Sequence, residues 1–281
     1  MLVLLRWLSR WPLRTLHAAG ALLGWIAYGS SGRYRRRLSD NARAAGLSAA
    51  QRRAAVAEAG KLVAEIPWLF LGAAARPISR HVRWDGDALV DEALAAGRGL
   101  VLLTPHLGSF EVCAQAYAER WGAAHPMTAL YRPARQQWLR EFEAEARRRP
   151  GLETAPTTLA GVRQMLRALK RGDTVGLLPD QVPPDGQGVW APFYGRDAYT
   201  MTLAARLAHT GAPWLLMWAE RLPRGGGWRV CVRAPLQPLP EGDVAAATVV
   251  NAEMQRVIGH CPTQYLWGYH RYRQPRPAAS A

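Results

Sequence analysis

The chain has 281 residues, a formal charge of +15 and a pI near 10.7. That length supports a sizeable core, one domain plus an appendage. The charge is nearly all arginine, since only Lys61 and Lys170 are lysines, and it favours anionic partners: nucleic acid, lipid headgroups, phosphorylated substrates or an acidic carrier protein. Cys113, Cys231 and Cys261 are odd in number, far apart and in no Cys-x-x-Cys pairing, which excludes a disulfide framework and a cysteine zinc site.

The first 28 residues are apolar and rich in tryptophan. Arg6, Arg10 and Arg14 recur every four residues and form one basic stripe, with Trp7 and Trp11 beside it. The apolar piece Leu16 to Tyr28 holds 13 residues, including His17, whereas crossing hydrocarbon takes ~20. Arg33, Arg35, Arg36 and Arg37 follow at once, so both flanks are basic. The basic start resembles a signal peptide, but Arg10 and Arg14 interrupt it. We read residues 1–32 as an interfacial membrane anchor, with an ordinary core helix as the alternative.

Ser48-Ala-Ala-Gln51 is a capping box that opens a long helix, kinked by Pro67 near Trp68 and Phe70. Trp84-Asp-Gly-Asp87 resembles an Asp-x-Asp metal site of sugar-nucleotide transferases. It reads better as a turn in which Asp87 caps a helix over Ala88 to Ala96.

Leu100-Val-Leu-Leu103 reads as a buried strand, Pro105 and Gly108 break regular structure, and a helix starts with Ser109 as N-cap. On a single helix, His106 and Glu111 would stand about 140° apart. They meet only if His106 sits in the turn and Glu111 in the first helical turn. So placed, the carboxylate fixes the imidazole tautomer and stabilises the imidazolium, the arrangement of a general base that deprotonates an alcohol.

Next come a strand ending in Tyr131-Arg132-Pro133, a helix through Arg149 closed by Gly151, and a helix over Leu159 to Arg171. Thr174 to Pro179 reads as a buried strand with Asp180 and Gln181 at its end, where ligands gather in open α/β sheets. Three readings of Asp180 stay open: it binds substrate, orients Arg132 or caps a turn. Gly188 to Gly195 reads as an aromatic loop, and Tyr199 opens a helix through His209. Trp214 to Ala219 and Trp228 to Val232 form a strand pair around Gly225-Gly-Gly227. A last helix covers roughly Asp243 to Gly259, and residues 274–281 read as a disordered tail.

His-x4-Glu after an apolar strand resembles the first signature of the glycerolipid (lysophospholipid) acyltransferase superfamily. Leu130-Tyr-Arg-Pro133, Pro179-Asp-Gln181, Ala191-Pro-Phe-Tyr-Gly195 and Gln264-Tyr-Leu-Trp267 follow in the order found in the lauroyl/myristoyl acyltransferases of lipid A biosynthesis. The resemblance runs from about Arg33 to Arg273. Glu in place of Asp in the first motif is common among lipid A members, while Trp267-Gly-Tyr-His-Arg-Tyr-Arg273 departs from their His-Arg-Arg-Phe-Lys type.

The resemblance implies an α/β fold with a mixed, largely parallel sheet flanked by helices, plus an N-terminal membrane-associated helix. It implies transfer of a fatty acyl chain from acyl-carrier protein to a hydroxyl of a phosphorylated glycolipid, a lipid A precursor, at the cytoplasmic face of the inner membrane. No metal or cofactor is implied. His106 and Glu111 become the catalytic dyad, Arg132 lies near the reacting groups or a phosphate, and Asp180 and Gln181 line the site. The oxyanion donor is either Arg132 or a backbone N–H at Gly108–Ser109, the helix start. The runner-up acylates another membrane lipid, a lysophospholipid or aminolipid, with acyl-carrier protein or acyl-CoA as donor. A serine hydrolase would show Gly-x-Ser-x-Gly, a metalloprotease His-Glu-x-x-His and a nucleotide enzyme a P-loop, and none occurs. A non-catalytic, nucleic-acid-binding module accounts for the charge but not for the tryptophan-rich N-terminus.

Overall fold

Apolar runs too short for helices become the strands of a central sheet. The computed structural model describes residues 2–72, 77–131 and 149–276. Within them lie β1 (Val82–Asp85), β2 (Leu100–Leu103), β3 (Met127–Tyr131), β4 (Leu152–Pro156), β5 (Thr174–Leu177), β6 (Gly188–Phe193), β7 (Arg196–Met201), β8 (Trp214–Arg221) and β9 (Trp228–Arg233). All but β6 and β7 join one sheet in the order β1-β9-β8-β2-β5-β3-β4. Neighbours in it are parallel except β8 and β9, the strand pair expected around Gly225–Gly227. Leu100 and Leu102 enter the core on one face, Val101 and Leu103 the core on the other. Burial on both faces is what makes such a strand read as an unbroken apolar run.

Helices cover both faces. α5 (Ala88–Ala95) and α6 (Phe110–Trp121) share one core with Leu100 and Leu102. α7 (Leu159–Lys170), α8 (Leu203–Ala208) and α9 (Asp243–Ile258) share the other with Val101 and Leu103. The fold is therefore mixed α/β with a largely parallel sheet between helices, as expected.

Before the sheet come α1 (Leu2–Leu8), α2 (Leu13–Ser30), α3 (Gly32–Ala44) and α4 (Ala49–Pro67). The Ser48–Gln51 capping box is formed in both directions, and Pro67 ends α4 where the chain passes into a π-helical turn at Trp68–Gly72. α2 buries Leu13, Leu16, His17, Gly20 and Gly24 against the body. Its backbone approaches α4 so closely that a Cβ on Gly60 would stand 1.9 Å from the Gly20 carbonyl oxygen. The opposite side of these helices exposes Val3, Leu4, Trp7, Leu22, Leu23, Trp25, Ile26 and Val63. No described helix is long and apolar enough to cross a membrane. Residues 2–30 thus carry an exposed apolar face and are also a packed part of the body.

Three local readings need correction. The aromatic segment Gly188–Gly195 is a hairpin arm rather than a loop. Ala191 and Phe193 point inward while Trp190 points out, and Tyr194 (φ 48°) with Gly195 (φ 72°) makes the two-residue turn into β7. Pro192 hides the pattern, and it is tolerated because β6 is hydrogen-bonded only to β7. Tyr199 lies in β7, so the helix expected there begins only at Leu203. Asp87 stands at the start of α5 but makes no capping hydrogen bond; it pairs with Arg120 at 2.6 Å, and Asp85 pairs with Arg233 at 2.9 Å. Both carboxylates of the Asp-x-Asp segment are therefore spent on arginines.

A buried ionic cluster ties α2, α4 and the sheet together. Glu65 is fully buried and accepts from Arg221 Nε (3.0 Å) and Nη2 (2.9 Å), His17 Nε2 (3.2 Å) and the Ser109 hydroxyl. Trp228 Nε1 donates to the same Ser109 oxygen at 2.5 Å, and Arg221 Nη1 donates to Glu58 at 2.7 Å. Burial by itself pushes the Glu65 carboxyl up, but the Arg221 charge and the hydrogen bonds from His17, Arg221 and Ser109 outweigh it and bring the pKa down to about 2. With the folded value below the ordinary 4.5, the stabilisation is complete above that pH and is lost as pH falls toward 2.

Two outcomes follow. Glu65→Gln should cost about 3–5 kcal/mol at neutral pH, because it leaves Arg221 buried without its counter-charge. Its stability should also fall less than that of the wild type between pH 5 and 2. Urea titrations of both proteins across that range measure this. Deleting residues 1–30 should lower the melting temperature sharply, because it uncovers α4 and strips His17 from Glu65.

Candidate active site

β2 and β5 pair in register from Leu100–Thr174 to Leu103–Leu177. His106 and Asp180 each lie three residues beyond the last pair, at the C-terminal edge of the sheet. Register alone brings two residues 74 positions apart together, and the contact is close. Asp180 is 1% exposed and holds His106 twice, taking the backbone N–H on Oδ2 at 2.9 Å and the ring Nδ1 on Oδ1 at 2.7 Å. Burial would raise the Asp180 pKa. The charge and hydrogen bonds of His106, with the Arg271 charge, outweigh it and hold the group below the usual aspartate value.

An ionised Asp180 makes Nδ1 the protonated ring nitrogen, so Nε2 carries the lone pair. The Gln181 amide donates to Nε2 at 2.8 Å. The His106 side chain is 13% exposed, and the Phe110 ring meets it edge-on at 4.8 Å. Of the expected site residues, the structure thus joins His106, Asp180 and Gln181. The tautomer-fixing carboxylate in contact with His106 is Asp180, not read as such in the sequence. Glu111 lies half-buried in the first turn of α6, where it was expected. Arg132 lies outside the described residues.

Gly108 and Ser109, expected to line the substrate, are hydrogen-bonded within the fold. Gly108 N–H donates to the Gln264 carbonyl at 3.0 Å and Ser109 N–H to the Ala219 carbonyl at 2.8 Å. Neither is left to serve as an oxyanion donor. Gly108 has φ 60°, and a Cβ there would stand 2.0 Å from the Ala219 oxygen, so the loop crosses β8 at a distance only glycine permits. Ser109 is fully buried, makes no cap bond, and gives its hydroxyl to Glu65.

Four residues missed as site residues complete the surround. Leu266 N–H donates to the His106 carbonyl at 3.1 Å, and Gln264 brackets Arg221 from both sides of its side-chain amide, so the Gln264–Trp267 segment clamps the His106 loop. Arg271, buried, donates to the Tyr199 carbonyl and Thr200 Oγ1 at 2.7 Å each and adds positive potential at Asp180. Tyr265 is buried against that carboxylate; burial first, then Asp180, pushes its phenol well above the usual value. None of these has a spacing signal, because each reaches the site through the packing of the segment that follows α9.

The chemistry this permits is general-base catalysis: a lone pair at Nε2 accepts a hydroxyl proton while Asp180 stabilises the resulting imidazolium. Asp180→Asn should lower turnover by about 10²–10⁴-fold, comparably to His106→Ala, since either loses the oriented base. Rates paired with thermal melts check this; near wild-type turnover in Asp180→Asn would remove Asp180 from the machinery.

The bacterial lipid A biosynthesis acyltransferase family model matches residues 1–274. The chain is 26% identical over 204 residues to a lipid A biosynthesis palmitoleoyltransferase of Escherichia coli (strain K12), covering 70% of this chain and 64% of that protein. It is 25% identical over 207 residues to the lipid A biosynthesis lauroyltransferase of the same organism, with the same coverage. A lipid A biosynthesis acyltransferase of Haemophilus influenzae (strain ATCC 51907 / DSM 11121 / KW20 / Rd) matches at 21% over 178 residues, 63% of this chain and 55% of that one. The matched region thus spans between just over half and just under two thirds of the length of these relatives. On the match along nearly its whole length, the chain belongs to the bacterial lipid A biosynthesis acyltransferase family.

Proposed function

We propose that this protein is an O-acyltransferase that moves a fatty acyl chain from acyl-carrier protein to a hydroxyl of a phosphorylated lipid A precursor. The observation that carries the reading is His106, held by Asp180 in the tautomer of a base, in a chain of the lipid A acyltransferase family. In the proposed reaction Nε2 takes the acceptor's hydroxyl proton, Gln181 gives way, and the alkoxide oxygen attacks the thioester carbonyl. The C–S bond breaks, and the departing thiolate takes the proton back from Nε2. Thioesters are already activated, so what the protein supplies is the base, the alignment and a donor for the oxyanion. With the Gly108 and Ser109 N–H groups spent, we assign that donor to Arg132, which follows Tyr131 at the end of β3. Glu111 keeps its place in the proposal as the second carboxylate of the His-x4-Glu motif.

The reading extends to location. The exposed apolar side of α1, α2 and α4 suits the interfacial zone of a bilayer, with Trp7 and Trp25 at headgroup depth. Residues 1–32 then act as anchor, 33–273 as the acyltransferase domain, and the working site is the cytoplasmic face of the inner membrane. Of the arginines that could dock an acidic carrier protein, 135, 140, 147 and 148 lie outside the described residues. Arg149 donates to the Leu69 carbonyl at 3.2 Å, so it is partly engaged already.

The test supplies purified protein with acyl-carrier-protein thioester and a phosphorylated lipid A precursor that bears a free hydroxyl, and weighs the products by mass spectrometry. The expected product gains one acyl chain, and the gain disappears in His106→Ala. Glu111→Gln should lose much of the rate as well. Acylation of a lysophospholipid instead, or equal use of acyl-CoA, would overturn the acceptor or donor assignment respectively.

A further inference from the structure

Behind the catalytic loop, between α2 and the β8–β9 turn, lies a cavity of about 420 Å³. Most charges on its wall are neutralised in place. Lys61 pairs with Glu58 at 2.5 Å, Arg221 with Glu58 and Glu65, Glu220 with Arg229 at 3.0 Å, and His17 donates to Glu65. Arg14 and Arg224 are different: both line the cavity, both are exposed, and among the described residues neither is in an ion pair.

The backbone sets these two arginines side by side. Arg224 is held at φ 58°, ψ 26°, left-handed geometry that is unfavourable for a non-glycine residue. Its neighbour Gly225 is pressed onto the start of α2, where a Cβ would stand 2.4 Å from the Arg14 nitrogen. A turn locked in this way places two unmatched arginines on the wall of one cavity. Guanidinium pairs suit phosphate oxygens, which they can bond through parallel N–H groups.

What lies next to the mouth chooses the kind of phosphate. Ala18 lines the cavity, and Leu22 and Ile26 continue the same helical row outward, all exposed. From Ala18 to Ile26 this row extends ~12 Å along α2 at the usual helical rise. A charged mouth that opens onto an apolar track of that length matches an amphipath better than a free anion. We infer that this cavity binds the phosphate-bearing headgroup of a membrane lipid, with an acyl chain laid along Ala18, Leu22 and Ile26. The lining of this cavity includes none of His106, Asp180 and Gln181, and the inference goes beyond the acyl-transfer reading.

The full-length protein, without acyl donor, is titrated calorimetrically with monomeric dihexanoyl phosphatidic acid and, separately, with inorganic phosphate. The wild type should bind the short-chain lipid. The Arg14→Ala/Arg224→Ala double variant should bind it at least about tenfold more weakly, and Ala18→Trp, which fills the cavity without changing charge, should block it. Arg35→Ala/Arg36→Ala, which removes two exposed arginines elsewhere, should bind like the wild type. Equal loss in both arginine pairs would mean diffuse surface charge and overturn the site. Binding of inorganic phosphate as tight as that of the lipid would overturn the lipid assignment, and so would lipid binding undiminished in Ala18→Trp. Because no turnover is measured, any of these results leaves the acyl-transfer reading standing.

Discussion

The site depends on a single register. β2 and β5 lie side by side and parallel, so the residues three beyond each strand end are delivered to the same point above the sheet. Asp180 then does two jobs with one carboxylate: one oxygen fixes the His106 backbone, the other fixes the ring. A buried carboxylate is costly unless its oxygens are satisfied. Here the same hydrogen bonds that satisfy it also orient the base, so orientation of the ring and stability of the loop rest on one interaction.

The loop is braced from below by a second buried charge. Glu65 receives Ser109 from the catalytic loop, Arg221 from the end of β8 and His17 from α2. Charge pairs of this kind contribute little net stability compared with an apolar replacement, but they cannot be half-removed without a large cost. Their effect is to fix where the elements meet. The N-terminal helices therefore cannot be treated as a detachable tether: the side of α2 that carries His17 is joined through Glu65 to Ser109, three residues after His106. The other side is apolar and exposed, so an exposed apolar surface and the link to Glu65 lie on the same helix.

Local physics was legible in the sequence wherever it acted alone. The strand Leu100–Leu103, the turn at Pro105–Gly108, the helix that follows, the Ser48–Gln51 box and the Trp214/Trp228 strand pair all read correctly because each is specified within a few residues. The placing of His106 in the turn after that strand was legible for the same reason. Its contact with Asp180 was not legible there, because a carboxylate seventy-four residues away is brought to the ring only by strand order. Ser109 looked like a helix cap for the same reason: cap chemistry is local, while its actual acceptor, Glu65, lies on another helix. Gly188–Phe193 passed for a loop because Pro192 and the aromatics masked a period-two pattern. Tyr265 and Arg271 carried no signal beyond sitting in a stretch that resembles the family.

The tautomer of His106 is where these arguments converge, and nitrogen-15 NMR of histidine-labelled protein reads it directly, with His106→Gln assigning the resonance among the seven histidines. The geometry requires a proton on Nδ1 and a bare, pyridine-like Nε2, with Asp180→Asn losing that preference. A proton found on Nε2 with Nδ1 bare, unchanged in Asp180→Asn, would mean that Asp180 does not hold the base and that the site must be rebuilt around another carboxylate.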